Sequence, residues 1–332
     1  MKYSRSEAKN WVKDNFVGYS VTTTTALTPE GEIDFDGLRS NTEKFLALPG
    51  VKGLYVGSLY QEFWTQTLDE RKAVTETILG AQNGRGQSIV NITHTSIKDS
   101  IDLAKHAQAN GADMIMCWPP YYGPRNDHGV RNFYKRLADS VDIAIATYTT
   151  TLHELGFYIS PDLMDKIAEI ETVAAAKEAS LSLDKYSAMA LAVGDRIQVS
   201  APLEEYYFFG KTAMPHLTPR FIIGSSRPLY MQTATRPNCQ EFFDAIDGGD
   251  VATAGEKLTA ILRVANELHS RYLAKGVHHL TLMKYISTLY GFAGGPVRPP
   301  LVQPTEEEKT HARAVLAANG LLPDQAGAIA AQ

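Results

Sequence analysis

Eight short apolar runs, each followed by a longer amphipathic stretch, limit this chain to very few folds. The runs are Gly18 to Thr25, Gly53 to Gly57, Ser88 to Thr93, Met114 to Cys117, Ile143 to Tyr148, Val173 to Lys177, Ile197 to Ser200 and Phe221 to Gly224. Between them lie patterns of helical period, such as Ser96 to Asn110, where Ile97, Ile101, Leu103, Ala104 and Ala107 fall on one stripe. Strands alternating with helices build parallel βαβ units, and eight of them predict a closed (β/α)8 TIM barrel, an α/β fold. The texture changes after the eighth run. Gln240 to Asp247, Asp250 to Lys275, Leu280 to Tyr290 and Thr305 to Asn319 read as helices, and Ala293 to Pro300 as a loop. The expected division is an N-terminal extension over 1–16, the barrel over 17–235 and a C-terminal helical extension over 236–332. The Ala-rich end from Pro323 to Gln332 reads as frayed.

Composition narrows the classes of function. The 332 residues are 44% hydrophobic and 21% charged, which suits one large globular domain with a small appendage. A net charge of -5 and the lack of any basic run argue against nucleic acid or a membrane surface as partner. Cys117 and Cys239 lie far apart in no metal or redox motif, and are expected to be reduced thiols of a cytoplasmic protein. Met1 to Trp11 is charged and lacks the apolar segment of a signal peptide, and no stretch is long and apolar enough to span a membrane. The nine histidines show no ligand spacing, and adjacent His278 and His279 diverge if helical. No Gly-x-Gly-x-x-Gly follows a strand. Metal and nucleotide readings therefore fail, no cofactor is expected, and the expected partner is a small molecule.

A barrel builds its active site at the carboxyl ends of its strands. Those ends are Thr22 to Thr25, Ser58 to Glu62, Asn91 to His94, Trp118 to Tyr122, Tyr148, Lys177, Ser200 to Glu204, and Ser225 with Ser226. Lys177 follows Val173-Ala-Ala-Ala176, where water is scarce. Desolvation lowers an amine's pKa from about 10.4 towards neutrality and makes it a nucleophile for carbonyl carbon. Tyr148, at the end of the fifth run, can pass protons to and from the resulting imine. The pair points to Schiff-base chemistry.

Further motifs stand at matching places. Thr28-Pro-Glu-Gly-Glu-Ile-Asp34 and Val51-Lys-Gly-Leu-Tyr-Val-Gly57 come first. Leu103-Ala-Lys-His-Ala107, Gly111-Ala-Asp113, Pro119-Pro-Tyr-Tyr122, Val297-Arg-Pro-Pro300 and Thr305-Glu-Glu-Glu308 follow. From about Gly18 to Leu321 the chain resembles the dihydrodipicolinate synthase and N-acetylneuraminate lyase superfamily of class I pyruvate-dependent aldolases. Tyr148 and Lys177 lie 29 residues apart, one more than in typical members. The resemblance implies an imine on Lys177 with no separate cofactor, and a proton relay through Tyr148. It also implies that Tyr122 reaches into a neighbouring subunit's site, and hence a homo-oligomer, usually a tetramer.

The second loop departs from the pattern. Typical members carry Gly-[Ser/Thr]-Thr-Gly-Glu, whose hydroxyls and amides hold a 2-oxo acid carboxylate; here Ser58-Leu-Tyr-Gln-Glu62 stands instead. Leu59 can neither bond a carboxylate nor pass a proton, so Tyr60 or another group takes over, or the substrate is not an ordinary pyruvate adduct. Glu62 is expected to bond backbone amides of its own loop. The aromatics Tyr60, Phe63, Trp64, Trp118 and Tyr121 are either packing or the walls of a pocket for an aromatic substrate, with His94 and His153 as proton carriers. Thr150, Ser200 and Ser225 complete the expected substrate contacts. The leading expectation is a lyase that forms or cleaves a carbon–carbon bond in a 2-oxo acid or related carbonyl compound, with hydratase-aldolases of benzylidenepyruvates as one model of the substrate. A 2-oxo acid dehydratase, an imine enzyme with a non-pyruvate donor, and a barrel that only binds a small molecule stay open.

Overall fold

A computed structural model describes residues 1–151, 157–273 and 279–323. The strands are β1 (Gly18–Thr22), β2 (Val51–Val56), β3 (Gln87–Asn91), β4 (Met114–Cys117), β5 (Ala144–Thr149), β6 (Val173–Glu178), β7 (Gln198–Ser200) and β8 (Phe221–Ile223). They form one sheet in the order β7-β6-β5-β4-β3-β2-β1-β8. The β1–β8, β2–β3, β3–β4, β4–β5, β5–β6 and β6–β7 pairs are all parallel. Ser200 links the two ends of that order, its hydroxyl accepting from the Ile223 amide at 3.0 Å. The result is a nearly closed (β/α)8 barrel with C-terminal helices, as the alternation predicts. Most strands keep their expected place within two residues. The first ends at Thr22 rather than Thr25, and the Thr25 hydroxyl instead donates to the Gln61 carbonyl at 2.6 Å.

The helices before and between the strands are α1 (Ala8–Asn15), α2 (Phe35–Ala47), α3 (Leu68–Gln82), α4 (Ile97–Ala109), α5 (Asp127–Ala138), α6 (Pro161–Ala168), α7 (Leu183–Val193) and α8 (Glu204–Ala213). Their starts are written locally. Asp34, Thr67, Ser96, Asn126, Ser160 and Ser182 each cap a helix, the side chain accepting a backbone N–H of the first turn. Thr67 and Glu70 complete a capping box, and Pro161 takes the first turn of α6, where its missing N–H costs nothing.

Contacts group the chain into two compact units. One comprises Met1–Ser20, Lys52–Val56 and Gly84–Ser225, and the other Val21–Val51, Gly57–Asn83 and Ser226–Gln332. In the first unit, Val173 to Ala176 of β6 are wholly buried, and their small side chains leave room for the long ones beside them. The N-terminal residues belong to this packing. Tyr3 donates its hydroxyl to the Asp113 carbonyl at 2.5 Å and accepts from the Ala144 amide at 2.8 Å, tying down the starts of β4 and β5. Ala8, Val12 and Phe16 are fully buried, with Phe16 against Phe221 at 5.4 Å. The second unit holds α2, α3 and the helices Asn238–Asp247, Val251–Ala265, Leu280–Leu289 and Glu306–Ala318. The helix expected from Asp250 widens to a π-helical turn at Asn266–Ser270 and continues as Arg271–Leu273. Residues 274–278, with the predicted end of that helix and His278, lie outside the described residues, as do 324–332. Among the described residues, no helix is long and apolar enough to cross a membrane.

Candidate active site

Parallel register decides what stands beside Lys177. Tyr148 of β5 pairs with Lys177 of β6, and Lys177 with Ser200 of β7. Register partners point to the same face of a sheet, so the three side chains form one row. The Lys177 residue is 6% exposed, and its Nζ lies 4.9 Å from the Tyr148 ring centroid and 5.2 Å from that of Tyr55. Burial lowers its pKa from 10.5 to about 7. Near neutral pH a large share of Lys177 is therefore free amine. Tyr148 is itself held, its ring lying against Trp118 at 4.5 Å and 34°. Trp118 is 2% exposed and anchored through its amide to the Thr93 hydroxyl at 2.9 Å.

The other expected residues of this unit have definite tasks. The Ser225 hydroxyl donates to the fully buried Glu204 carboxylate at 3.0 Å. Ser200 receives the Ile223 amide, and the Thr150 hydroxyl donates to the Ala179 carbonyl at 2.9 Å, joining the turns after β5 and β6. His94 makes local contacts: its Nδ1 lies 3.1 Å from the Ser96 amide and 3.2 Å from the Asp99 carboxylate, at the start of α4. Tyr122 is 83% exposed, and Tyr121 precedes it, half-buried, in the same turn. His153 lies outside the described residues.

The altered loop belongs to the second unit. Leu59–Gln61 and Phe63–Thr65 are single 3-10 turns joined at Glu62, which takes a left-handed φ of 55°. Ser58 bonds Thr22, and Leu59 is half-buried. Tyr60 is buried; its hydroxyl lies 3.4 Å from both the Ser226 hydroxyl and His279 Nε2, and burial raises its pKa. His279 in turn packs on His269 with ring centroids 4.1 Å apart. Phe63 is buried beneath the Arg71 guanidinium at 5.1 Å, and Trp64 meets its edge at 5.5 Å. Glu62 differs from expectation. It bonds no amide of its own loop but accepts from Lys284 Nζ at 2.9 Å and from the Arg298 amide at 3.3 Å. A carboxylate buried to 1% exposure needs a charged partner, and the one that satisfies it lies 222 residues away.

Four residues near these groups escaped the sequence reading as site residues. Tyr55 and Gly224 lie inside runs recognised only as strands. Glu204 was included in a strand-end span without a role. Lys284 sits in a helix whose period marks it as nothing special. Only Glu204 carried a signal, being an acid at a barrel strand's carboxyl end. Among the described residues, no group of three or more His, Cys, Asp or Glu is placed to hold a metal ion.

A (β/α)8 barrel with a desolvated lysine at the carboxyl end of a strand is the frame of a lyase-type class I aldolase. The chain belongs to the dihydrodipicolinate synthetase family, whose profile matches residues 15–319. A 4-hydroxy-tetrahydrodipicolinate synthase of Methanothrix thermoacetophila is 27% identical over 299 residues, covering 88% of this chain and 93% of its own. Among solved structures, a prophage protein of the family from E. coli K12, in complex with pyruvate, superposes with a TM-score of 0.78. It is 21% identical, and the match covers 92% of this chain and 99% of that one. An N-acetylneuraminate lyase from Mycoplasma synoviae gives 0.77 at 20% identity, over 93% and 99%. At such identities the two structures speak for the fold.

Proposed function

We propose that this lyase works through an imine on Lys177 and forms or cleaves a carbon–carbon bond in a 2-oxo acid or related carbonyl substrate. The observation that carries the reading is the Lys177 amine, buried beside Tyr148 with a pKa of about 7. Lys177 adds to the carbonyl carbon. Tyr148 returns a proton to the resulting hydroxyl, water leaves, and an iminium remains. The iminium takes up the electron pair when the carbon–carbon bond one atom beyond it breaks, and the Tyr148 phenolate takes the proton of the departing carbinol, giving an enamine and an aldehyde. Hydrolysis restores the amine. The electron sink is the substrate's own imine, so this sequence calls on no further cofactor.

Pyruvate is the first donor to test, because the E. coli relative was solved with it. The loop makes a changed donor the second. Leu59 offers no hydroxyl, and the Tyr60 hydroxyl faces Ser226 and His279. For the aldehyde half, the Trp118–Tyr148 stack favours an aromatic group, as in a hydratase-aldolase, whereas the Glu204–Ser225 pair favours a hydroxyl-bearing one. The exposed Tyr122 fits a homo-oligomer in which it meets a neighbouring subunit, and the buried cysteines Cys117 and Cys239 fit a cytoplasmic setting.

Borohydride trapping read by intact-protein mass tests the reading. Pyruvate, acetone, a simple aldehyde and an aromatic 2-oxo acid are offered separately. An adduct present in the native protein and absent from Lys177→Ala is expected. Folded protein that traps none of them would count against an imine enzyme and favour a barrel that only binds. Tyr148→Phe keeps the ring against Trp118 and Lys177 and removes only the hydroxyl. Turnover of the trapped substrate is expected to fall by about 10²–10⁴, with the unfolding midpoint unchanged. A fall in stability with turnover intact would instead make Tyr148 a packing residue.

A further inference from the structure

We propose that Gly224 is a positioning residue for Lys177, the missing side chain at 224 being the seat of the lysine's amine. The inference rests on the imine reading above. A Cβ built at 224 would lie 2.5 Å from Lys177 Nζ, 3.4 Å from its Cε and 3.0 Å from Tyr55 Cδ1. The first distance is one that real Cβ atoms do not show, so something must move. The candidates differ in freedom. The backbone of residue 224 is pinned, its amide donating to the Ser20 carbonyl at 2.7 Å. Tyr55 is 1% exposed, and its ring sits among the strands. Tyr148 is backed by Trp118. The Lys177 amine, at the end of four rotatable bonds, is the soft member.

The seat thus has three walls: the Tyr55 face, the Tyr148 face and the backbone of Gly224. Two bulky rings leave the amine room only because the third wall has no side chain. Other groups face the row from neighbouring strands: the Ser200 hydroxyl by register, and Ser225 bound to Glu204 one residue beyond the glycine. A methyl at 224 pushes the amine out of the seat and towards water. Displacement of a reacting atom by about 1 Å costs on the order of 10²-fold in rate. Rehydration of the amine moves its titration back towards that of a solvated lysine.

Glycine at 224 also serves a φ of +76°, so backbone strain must be separated from the seat. Gly111 supplies the control, with a φ of +81° and nothing within 4 Å of a built Cβ. The experiment compares native protein, Gly224→Ala and Gly111→Ala by borohydride trapping of Lys177 across pH, with pyruvate and separately with acetaldehyde. Circular dichroism reports folding. Gly111→Ala is expected to trap at the native rate, with the native midpoint near pH 7. Folded Gly224→Ala is expected to trap about 10²-fold more slowly at neutral pH, with its midpoint moved upward. Should Gly224→Ala fail to fold, Tyr55→Leu is read in its place, since opening that wall must raise the midpoint in the same direction. Native rate and midpoint in the folded variant overturn the proposal alone. Absence of trapping in the native protein overturns the imine reading and this proposal with it.

Discussion

Replacing Lys177 with methionine is expected to stabilise the folded protein by on the order of 4 kcal/mol at neutral pH while abolishing imine formation. Burial holds the folded pKa near 7 against 10.5 for the ordinary side chain. The unfolded chain therefore binds the proton more tightly, and the lysine's penalty on folding is fully present below pH 7. As pH rises from 7 towards 10.5 the unfolded lysine also loses its proton, and the penalty fades. Methionine has similar length, no charge and a tolerance for irregular space. Urea unfolding of both proteins at pH 7 and pH 9.5 is the measurement, and the gap should shrink to about 1.4 kcal/mol at the higher value. A gap independent of pH, or a methionine variant less stable than native, would mean that Lys177 is not desolvated as described.

The second large effect lies at the buried pair between Lys284 and Glu62, which are 2% and 1% exposed. Lys284→Met should destabilise the protein by about 3–5 kcal/mol, because it leaves the Glu62 carboxylate buried with its chief donor gone. The double variant Glu62→Gln with Lys284→Met should lose distinctly less, since both charges leave together. The Lys284 amine also donates to the Pro296 carbonyl at 2.6 Å, so some loss remains in the double variant. Chemical unfolding of the two single variants and the double variant gives the coupling directly. A loss in the double variant equal to the sum of the two single losses would show that the pair is not coupled. Through Glu62 the pair sets the turn that carries Leu59 and Tyr60, so Lys284→Met should also loosen protection of the 58–62 amides in hydrogen exchange.

Much of the barrel was legible because its signals are local. A capping serine, threonine, aspartate or asparagine acts within three residues, and an apolar run declares a buried strand within six. Lys177 and Tyr148 could be singled out for the same reason: each closes an apolar run, and a parallel barrel gathers such ends at one rim. Their adjacency was another matter. It depends on the β5–β6 register, which shifts between Ile145 and Ala146, so counting residues along either strand would not have paired them.

The aromatic residues illustrate the limit from the other side. Sequence position placed Tyr60 and Trp118 at strand ends and Phe63 and Trp64 just beyond one, but not what they touch. Trp118 backs Tyr148, Phe63 lies under Arg71, and Tyr60 turns its hydroxyl to Ser226 and His279. Glu62 was recognised as structural, yet its partner could not be named, because an ion pair across 222 residues leaves no trace in either neighbourhood.

The sequence by itself determined the strand–helix alternation, the helix starts and the burial of Lys177 and Tyr148 at strand ends, since each follows from burial or hydrogen bonding between near neighbours. Only the tertiary structure decided the two tyrosine faces around the amine, the side chain that Gly224 must lack, the Glu204–Ser225 bond and the lysine that neutralises Glu62. Those depend on distances between segments remote in the chain. Such distances are set by close packing of the whole core, which no local pattern encodes.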